Sequence, residues 1–162
     1  MIRIKQEKSE TSLKVKRLFK DAELPEYALN TDIGIDIRAN ETVVIPVSEQ
    51  KTIKTGLAIE IPEGHVGLIR DRAGIITKMG VHTAAGTFDP AYRGEVSIVL
   101  VNCGEQDVEV EKGMRIAQMI ILPVTKAKIQ EVKQLSSTER GERGFSSTGL
   151  KKVIKKIDKI KK

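Results

Sequence analysis

Apolar residues in this chain recur at every second position or in short unbroken runs, and hardly anywhere at the spacing of a helix face. "IGIDIRA" (33–39) alternates, with Ile33, Ile35 and Ile37 on one side and Gly34, Asp36 and Arg38 on the other. A period of two belongs to an extended strand with one covered face. "ETVVIP", "QKTIKTGLAIEIP" and "HVGLIRD" read as further strands punctuated by Pro and Gly. "EVSIVLVN" and "MRIAQMIILPV" are apolar on both sides, the pattern of strands packed between two sheets. "AKIQEVKQL" (127–135) reads as a last strand. Only "RAGIITKMG" can hold one or two helical turns, ended by Gly80. A doubly wound sheet needs helices between its strands, so the pattern predicts an all-β sandwich or jelly roll with one short internal helix.

The 162 residues suit one domain with a real core. No apolar run is long enough to span a membrane and no signal-like segment opens the chain, so a cytoplasmic protein is expected. Cys103 is the sole cysteine, which rules out an internal disulfide. With His65 and His82 as the only histidines, a structural zinc site lacks ligands. A metal used here is therefore a hard ion on oxygen, such as Mg²⁺. His65, His82 and Cys103 read as structural.

The net charge of +6 sits in one place. The segment 151–162, "KKVIKKIDKIKK", has seven Lys and one Asp, and the preceding 150 residues balance to zero. A general basic face for nucleic acid is thus absent, and three Phe, two Tyr and no Trp provide few stacking platforms. After Leu135 the chain turns small, charged and Gly-rich. The expected organisation is an all-β domain over 1–135, a flexible lid over 136–150 and a Lys-rich tail over 151–162. The tail is expected to stay solvated or make a weak anionic-surface contact, without a specific nucleic-acid or membrane partner. Phe145, set among Gly and hydroxyl residues, suits a lid: a ring to stack on a base, with hydroxyls and N–H groups for phosphates.

"AAGTFDPAYRGEVSIVL" (84–100) has the look of a β-hairpin. Asp89 before Pro90 begins a turn, its carboxylate accepting nearby N–H groups while Pro presets φ. Asp36 reads as an acid on the polar face of its strand, and Arg72 as the start of the helix, paired with Asp71 or free for phosphate. Gln118, an amide within an apolar strand, needs hydrogen-bond partners.

Five segments in order, "IGIDIRA", "DRAGIITKMG", "GTFDPAYRGEV", "GMRIAQMI" and "RGERGFSSTG", closely resemble those of the homotrimeric dUTP pyrophosphatases, or dUTPases, from about Lys14 to Gly149. The resemblance implies a jelly-roll, β-clip-like distorted barrel, a homotrimer with shared active sites and a C-terminal lid. It also implies Mg²⁺-dependent hydrolysis of dUTP to dUMP and pyrophosphate, which supplies dUMP and keeps uracil out of DNA. It casts Asp89 as the catalytic acid that orients the attacking water. Arg72, the N–H groups of Ala73 and Gly74, Gln118, Arg140, Ser147 and Thr148 are expected at the phosphates. Thr83, Gly86, Thr87, Phe88, Tyr92, Ser97, Phe145 and Ser146 are expected around the nucleoside, and Asp36 at the Mg²⁺ through a water. Arg115 reads as structural.

The chain departs from the usual family pattern at four places. Asp71 and Ala73 replace the Pro and Ser of Pro-Arg-Ser-Gly, and Arg143 and Ser146 replace glycines of the tail. A hydroxyl donor acting only in the transition state can be worth ~2.7–4 kcal/mol, which Ala73 forgoes. Two rivals stay open at this stage. One is a dCTP deaminase-like or bifunctional enzyme on the same fold, with Glu95 as its acid. The other is a nucleotide-binding regulator with impaired catalysis.

Overall fold

A computed structural model of the protein describes residues 12–143. It divides into two compact units, 1–126 and 127–162. The first carries the described strands and helix, in the order β1 (Lys14–Arg17), β2 (Ile35–Arg38), β3 (Val43–Ile45), β4 (Gln50–Ile53), β5 (Leu57–Glu60), β6 (His65–Arg70), α1 (Ala73–Met79), β7 (Val81–Ala84), β8 (Thr87–Phe88), β9 (Ile98–Asn102), β10 (Val108–Val110) and β11 (Arg115–Pro123). The strands form a four-stranded sheet β2-β11-β6-β8, a three-stranded sheet β4-β9-β7 and the pairs β1-β5 and β3-β10, all antiparallel. The all-β, jelly-roll class with one short helix is as expected.

Alternation explains the core. In β9, Ile98, Leu100 and Asn102 point inward while Val99 and Val101 are only half-covered. The expectation of strands apolar and buried on both faces is corrected here: within one chain the second face of β9 is partly open. Ile37, Ile53, Leu57, Ile116 and Met119 join the same cluster from other strands. Each such side chain contributes about 1.5–3 kcal/mol on burial. Asn102 is tolerated in this core because its amide is fully used. Nδ2 donates to the Ile45 and Gln106 carbonyls at 3.0 and 2.8 Å, and Oδ1 accepts from Gly104 N–H at 2.9 Å.

Helix α1 is too short to be stable alone. It ends at Gly80, in the left-handed conformation (φ 66°), whose N–H returns to the Ile76 carbonyl. Arg72 precedes the helix in extended conformation and supplies no side-chain cap.

Three expectations are corrected. β2 begins at Ile35, and Ile33 is 75% exposed, because the clean alternation breaks where the strand leaves its neighbour β11. Segment 127–135 forms no strand; it lies in the second unit with Ile129 and Leu135 exposed, its apolar residues at 129, 132 and 135 lacking the period of two a strand needs. The hairpin read at 84–100 is also rearranged. β7 pairs with β9, while β8, carried in the loop between them, leaves for the other sheet and pairs with β6. The switch needs a sharp corner, made by Ala85 (φ 61°) and Gly86 (φ 128°). Gly86 packs on Ile69, where an added Cβ would lie 2.6 Å from the Ile69 Cβ, and its carbonyl accepts from Ile69 N–H. Gly86→Ala is expected to lower stability by roughly 1–3 kcal/mol, through both backbone strain and this contact, as read by denaturation followed by circular dichroism.

Candidate active site

Asp36 lies on edge strand β2, opposite Gln118 of β11, which in turn lies opposite Arg70 of β6. Contrary to the expected solvated face, Asp36 is 5% exposed. The segment at Glu26 pairs with it from the far side, and its N–H donates to the Glu26 carbonyl at 2.8 Å. A buried carboxylate needs compensating charge. Arg72 Nε supplies it, 2.7 Å from Asp36 Oδ1, and Arg115 Nε stands 3.4 Å from Oδ2. Asp36 Oδ2 and Arg115 Nε are both buried without a hydrogen-bond partner among the described residues. Arg115 Nη2 and Arg38 Nη2 share Glu26 Oε1, at 3.0 and 2.7 Å, and these bonds hold the Glu26 carboxyl below its usual range.

Gln118 finds the partner an apolar strand demands. Its Nε2 donates to the Asp71 carbonyl at 2.8 Å, and its Oε1 occupies the space that a side chain at Gly34 would fill. The glycine of "IGID" therefore makes room for an amide on the neighbouring strand.

Arg72 turns to Asp36 and away from Asp71, which has other partners. Asp71 Oδ1 accepts from Thr83 N–H at 2.7 Å and from Thr83 Oγ1 at 2.6 Å, and Oδ2 pairs with His82 Nδ1 at 2.6 Å. Burial works against ionisation of Asp71, but the Thr83 and His82 bonds outweigh it and set its carboxyl below the ordinary value of 3.8. This hub escaped the sequence reading. Residues 71 and 82 are distant along the chain, and nothing in either neighbourhood marks them as partners. Ala73 and Gly74 are exposed at the start of α1, where N–H groups have no intrahelical acceptor.

The hairpin residues gather elsewhere. Asp89 is exposed, and its carbonyl accepts from Tyr92 N–H at 3.1 Å to close the turn. The turn is thus made by the main chain and Pro90. The carboxylate, expected to cap it, binds no described residue. Phe88 and Tyr92 pack with ring centroids 5.8 Å apart, and Tyr92 Oη donates to the Glu95 carbonyl at 2.9 Å. Thr87 is exposed, Ser97 is half-buried beside β9, and Thr83 has both its N–H and its hydroxyl committed to Asp71.

Two groups of residues result. Asp36, Arg72, Ala73, Gly74 and Gln118 gather at the Arg70 end of the four-stranded sheet. Phe88 ends β8 on its opposite edge, and Asp89 and Tyr92 lie just past it. Phe88 pairs with Gly67, so Asp89 falls beside Val66, four residues back along β6 from Arg70. β2 and β8 are three strand spacings apart. At ~4.8 Å per strand and ~3.3 Å per residue, Asp36 and Asp89 are roughly 20 Å apart in one chain. Arg140 lies in the second unit, where its Nε donates to the Arg143 carbonyl at 3.0 Å. Phe145, Ser146, Ser147 and Thr148 lie outside the described residues. Glu95, the acid of the deaminase reading, accepts from Gly56 N–H at 2.7 Å and ties its loop to β5.

The dUTPase family profile matches residues 20–149. The deoxyuridine 5'-triphosphate nucleotidohydrolase of Clostridium tetani is 47% identical over 143 residues, covering 87% of this chain and 99% of that protein. The enzyme of the same name from Crocosphaera subtropica is 46% identical over 140 residues, with 85% and 99% covered. Among solved structures, the dUTPase of Staphylococcus bacteriophage 80alpha with dUpNHpp superposes with a TM-score of 0.81 at 35% identity, over 86% of this chain and 99% of that one. A mutant dUTPase from phage phi11 of S. aureus, solved with a structural Mg(II) ion, gives 0.73 at 28% identity, over 78% and 100%.

Removing Arg72 strands a buried charge. Arg72→Ala is expected to destabilise by about 1.5–3 kcal/mol in chemical denaturation, and adding Asp36→Asn should restore most of the loss. The depressed Asp71 carboxyl stabilises the fold fully above its ordinary value, 3.8, and this contribution disappears as pH falls through the lower folded value. Asp71→Asn is therefore expected to flatten part of the stability loss below about pH 4, read by acid titration with circular dichroism.

Proposed function

The chain belongs to the dUTPase family and hydrolyses dUTP to dUMP and pyrophosphate, and we propose that it does so at sites completed by more than one copy of itself. The separation of Asp89 from Arg72 carries this reading. A carboxylate that aims a water must stand within hydrogen-bond reach of it, and hence a few ångströms from the reacting phosphorus. A triphosphate held by Arg72, whose partner Asp36 lies roughly 20 Å from Asp89 across the sheet, is out of that reach. A homotrimer in which the hairpin of one subunit meets the Arg72 end of another removes the difficulty, and it agrees with the half-open outer face of β9.

In such a site, uracil and deoxyribose lie against the hairpin, at Gly86, Thr87, Phe88 and Tyr92, with Thr83 and Ser97 behind them. The Tyr92 ring, steadied by Phe88 and the Glu95 carbonyl, is suited to crowd out a ribose 2′-hydroxyl. Arg72 spends Nε on Asp36, and its two terminal nitrogens, without partners among the described residues, are available to phosphate oxygens. Gln118 and the N–H groups of Ala73 and Gly74 add neutral donors. On the family resemblance alone, Arg140, Ser147 and Thr148 are assigned to the phosphates and Phe145 and Ser146 to the base, the last four lying outside the described residues.

Asp89 accepts the proton of a water as that oxygen bonds to the α-phosphorus. The bond from the α-phosphorus to the bridging oxygen breaks, and pyrophosphate leaves with the electron pair. The Asp89 carboxylate is exposed and makes no bond among the described residues, which leaves it open to a water. No covalent intermediate is needed, so the remaining work is positioning and charge stabilisation.

The residues fit a Mg²⁺ ion brought by the substrate. Asp36 Oδ2 is buried without a hydrogen bond among the described residues, with Arg115 Nε 3.4 Å away, and among those residues no cluster of three acids, His or Cys could hold a metal unaided. That suits an ion that keeps its waters and takes most of its ligands from phosphates, with Asp36 holding one water. When bound, the ion offsets phosphate charge. The deaminase reading is not favoured, because Glu95 is committed to Gly56.

Asp89→Asn is expected to retain dUpNHpp binding and the unfolding profile while losing at least 100-fold in pyrophosphate release, on the order expected for a catalytic base. Mixing separately inactive Asp89→Asn and Arg72→Ala subunits, after unfolding and reassembly, should restore activity. Failure to recover any would place both residues in one subunit's site.

A further inference from the structure

We propose that Asp71 is a positioning residue for the phosphate site, holding Arg72 and Gln118 in place through a clamp between β7 and β11. This rests on the reading above, in which those two residues meet the phosphates.

Asp71 is gripped from both sides at the last residue before Arg72. Its carboxylate takes both donors of Thr83 and the His82 ring on β7. Its carbonyl takes the Gln118 amide on β11. Apart from the Arg72–Asp36 pair, the start of α1 is held by little else: Arg72 makes no capping bond, and no acid stands in the first turn. A seven-residue helix cannot set its own direction. The direction of Arg72 then follows from where Asp71 is held, and the reach of Arg72 Nε to Asp36 follows in turn. The same clamp orients Gln118, whose amide oxygen lies over Gly34 because its nitrogen is held by Asp71.

Charge supports a positioning role over phosphate contact. A carboxylate beside a triphosphate repels it. Here both carboxylate oxygens face donors: Oδ1 takes two hydrogen bonds and Oδ2 an imidazole nitrogen. The charge that anchors the loop is thereby spent on β7. Where the family pattern usually has a proline ring to restrict the backbone before the arginine, this chain uses hydrogen bonds to a neighbouring strand.

The test uses the full chain. Pyrophosphate release from dUTP by the unaltered protein comes first, with Arg72→Ala beside it; inactive unaltered protein, or an unaffected Arg72→Ala, overturns the underlying functional reading. Given those, Asp71→Ala is expected to lower kcat/KM by about 10–100-fold. It should weaken inhibition by pyrophosphate while leaving inhibition by deoxyuridine within about twofold, a split that general destabilisation does not produce. Asp71→Asn, which keeps an oxygen for Thr83, should recover most of the activity. In the Arg72→Ala/Gln118→Ala background, Asp71→Ala should add little. If Asp71→Ala does not fold, His82→Ala, which removes one partner of the carboxylate, should show the same pyrophosphate-selective weakening. Equal weakening of both inhibitors, or full additivity with Arg72→Ala/Gln118→Ala, would overturn the proposal.

Discussion

The Asp36 carboxylate is a charge taken out of water, and its compensation organises the surrounding sheet. Removing such a group from solvent costs several kcal/mol unless a partner stands close. Arg72 does so from the start of α1, and Arg115 from β11. The helix start and strands β2 and β11 are thereby drawn to one point. Arg115 and Arg38 divide Glu26 between them, and Glu26 in turn lays its segment against β2, closing Asp36 off from water. A chemical need for charge balance and the burial that creates the need hold each other in place. The arrangement uses Arg72 Nε and leaves its two terminal nitrogens without partners among the described residues.

Strand β6 sets the scale of the active site. One of its ends leads into Asp71 and Arg72, and the other lies beside Asp89. Rigid β-structure holds these ends apart, so no small motion within a subunit can unite them. In the proposed site a second copy brings two such ends together, the Arg72 end of one subunit meeting the Asp89 end of another. Such a division separates recognition of the base from handling of the phosphates, each resting on its own main-chain framework.

Much of this was legible from residue order. Period-two segments at 33–39, 43–45, 57–60 and 65–70 overlap strands that formed, and Gly80 ended the helix where its conformational freedom suggests. The order of five short segments pointed to the family. Other elements were not legible. β1 reads Lys-Val-Lys-Arg and becomes a strand only because β5 offers an edge. β8 is two residues long, too short for any periodicity. Segment 127–135, read as a strand, forms none. Pairing depends on a partner edge, and a local pattern does not contain one.

The sequence by itself determined the strand-rich class, the one short helix, the turn at Pro90 and the types of side chain available for chemistry. These follow from local rules: side-chain period, the fixed φ of proline and the freedom of glycine. Tertiary structure alone decided the pairings. Asp36 became a buried ion partner, Arg72 turned to it and away from its neighbour Asp71, and Asp71 joined Thr83 and His82. It also set Asp89 far from Arg72 within one chain. The reason is the range of the forces involved. Torsional and hydrogen-bond preferences act over a few residues along the chain, whereas burial and charge pairing act through space, between strands whose meeting only the closed sheet defines.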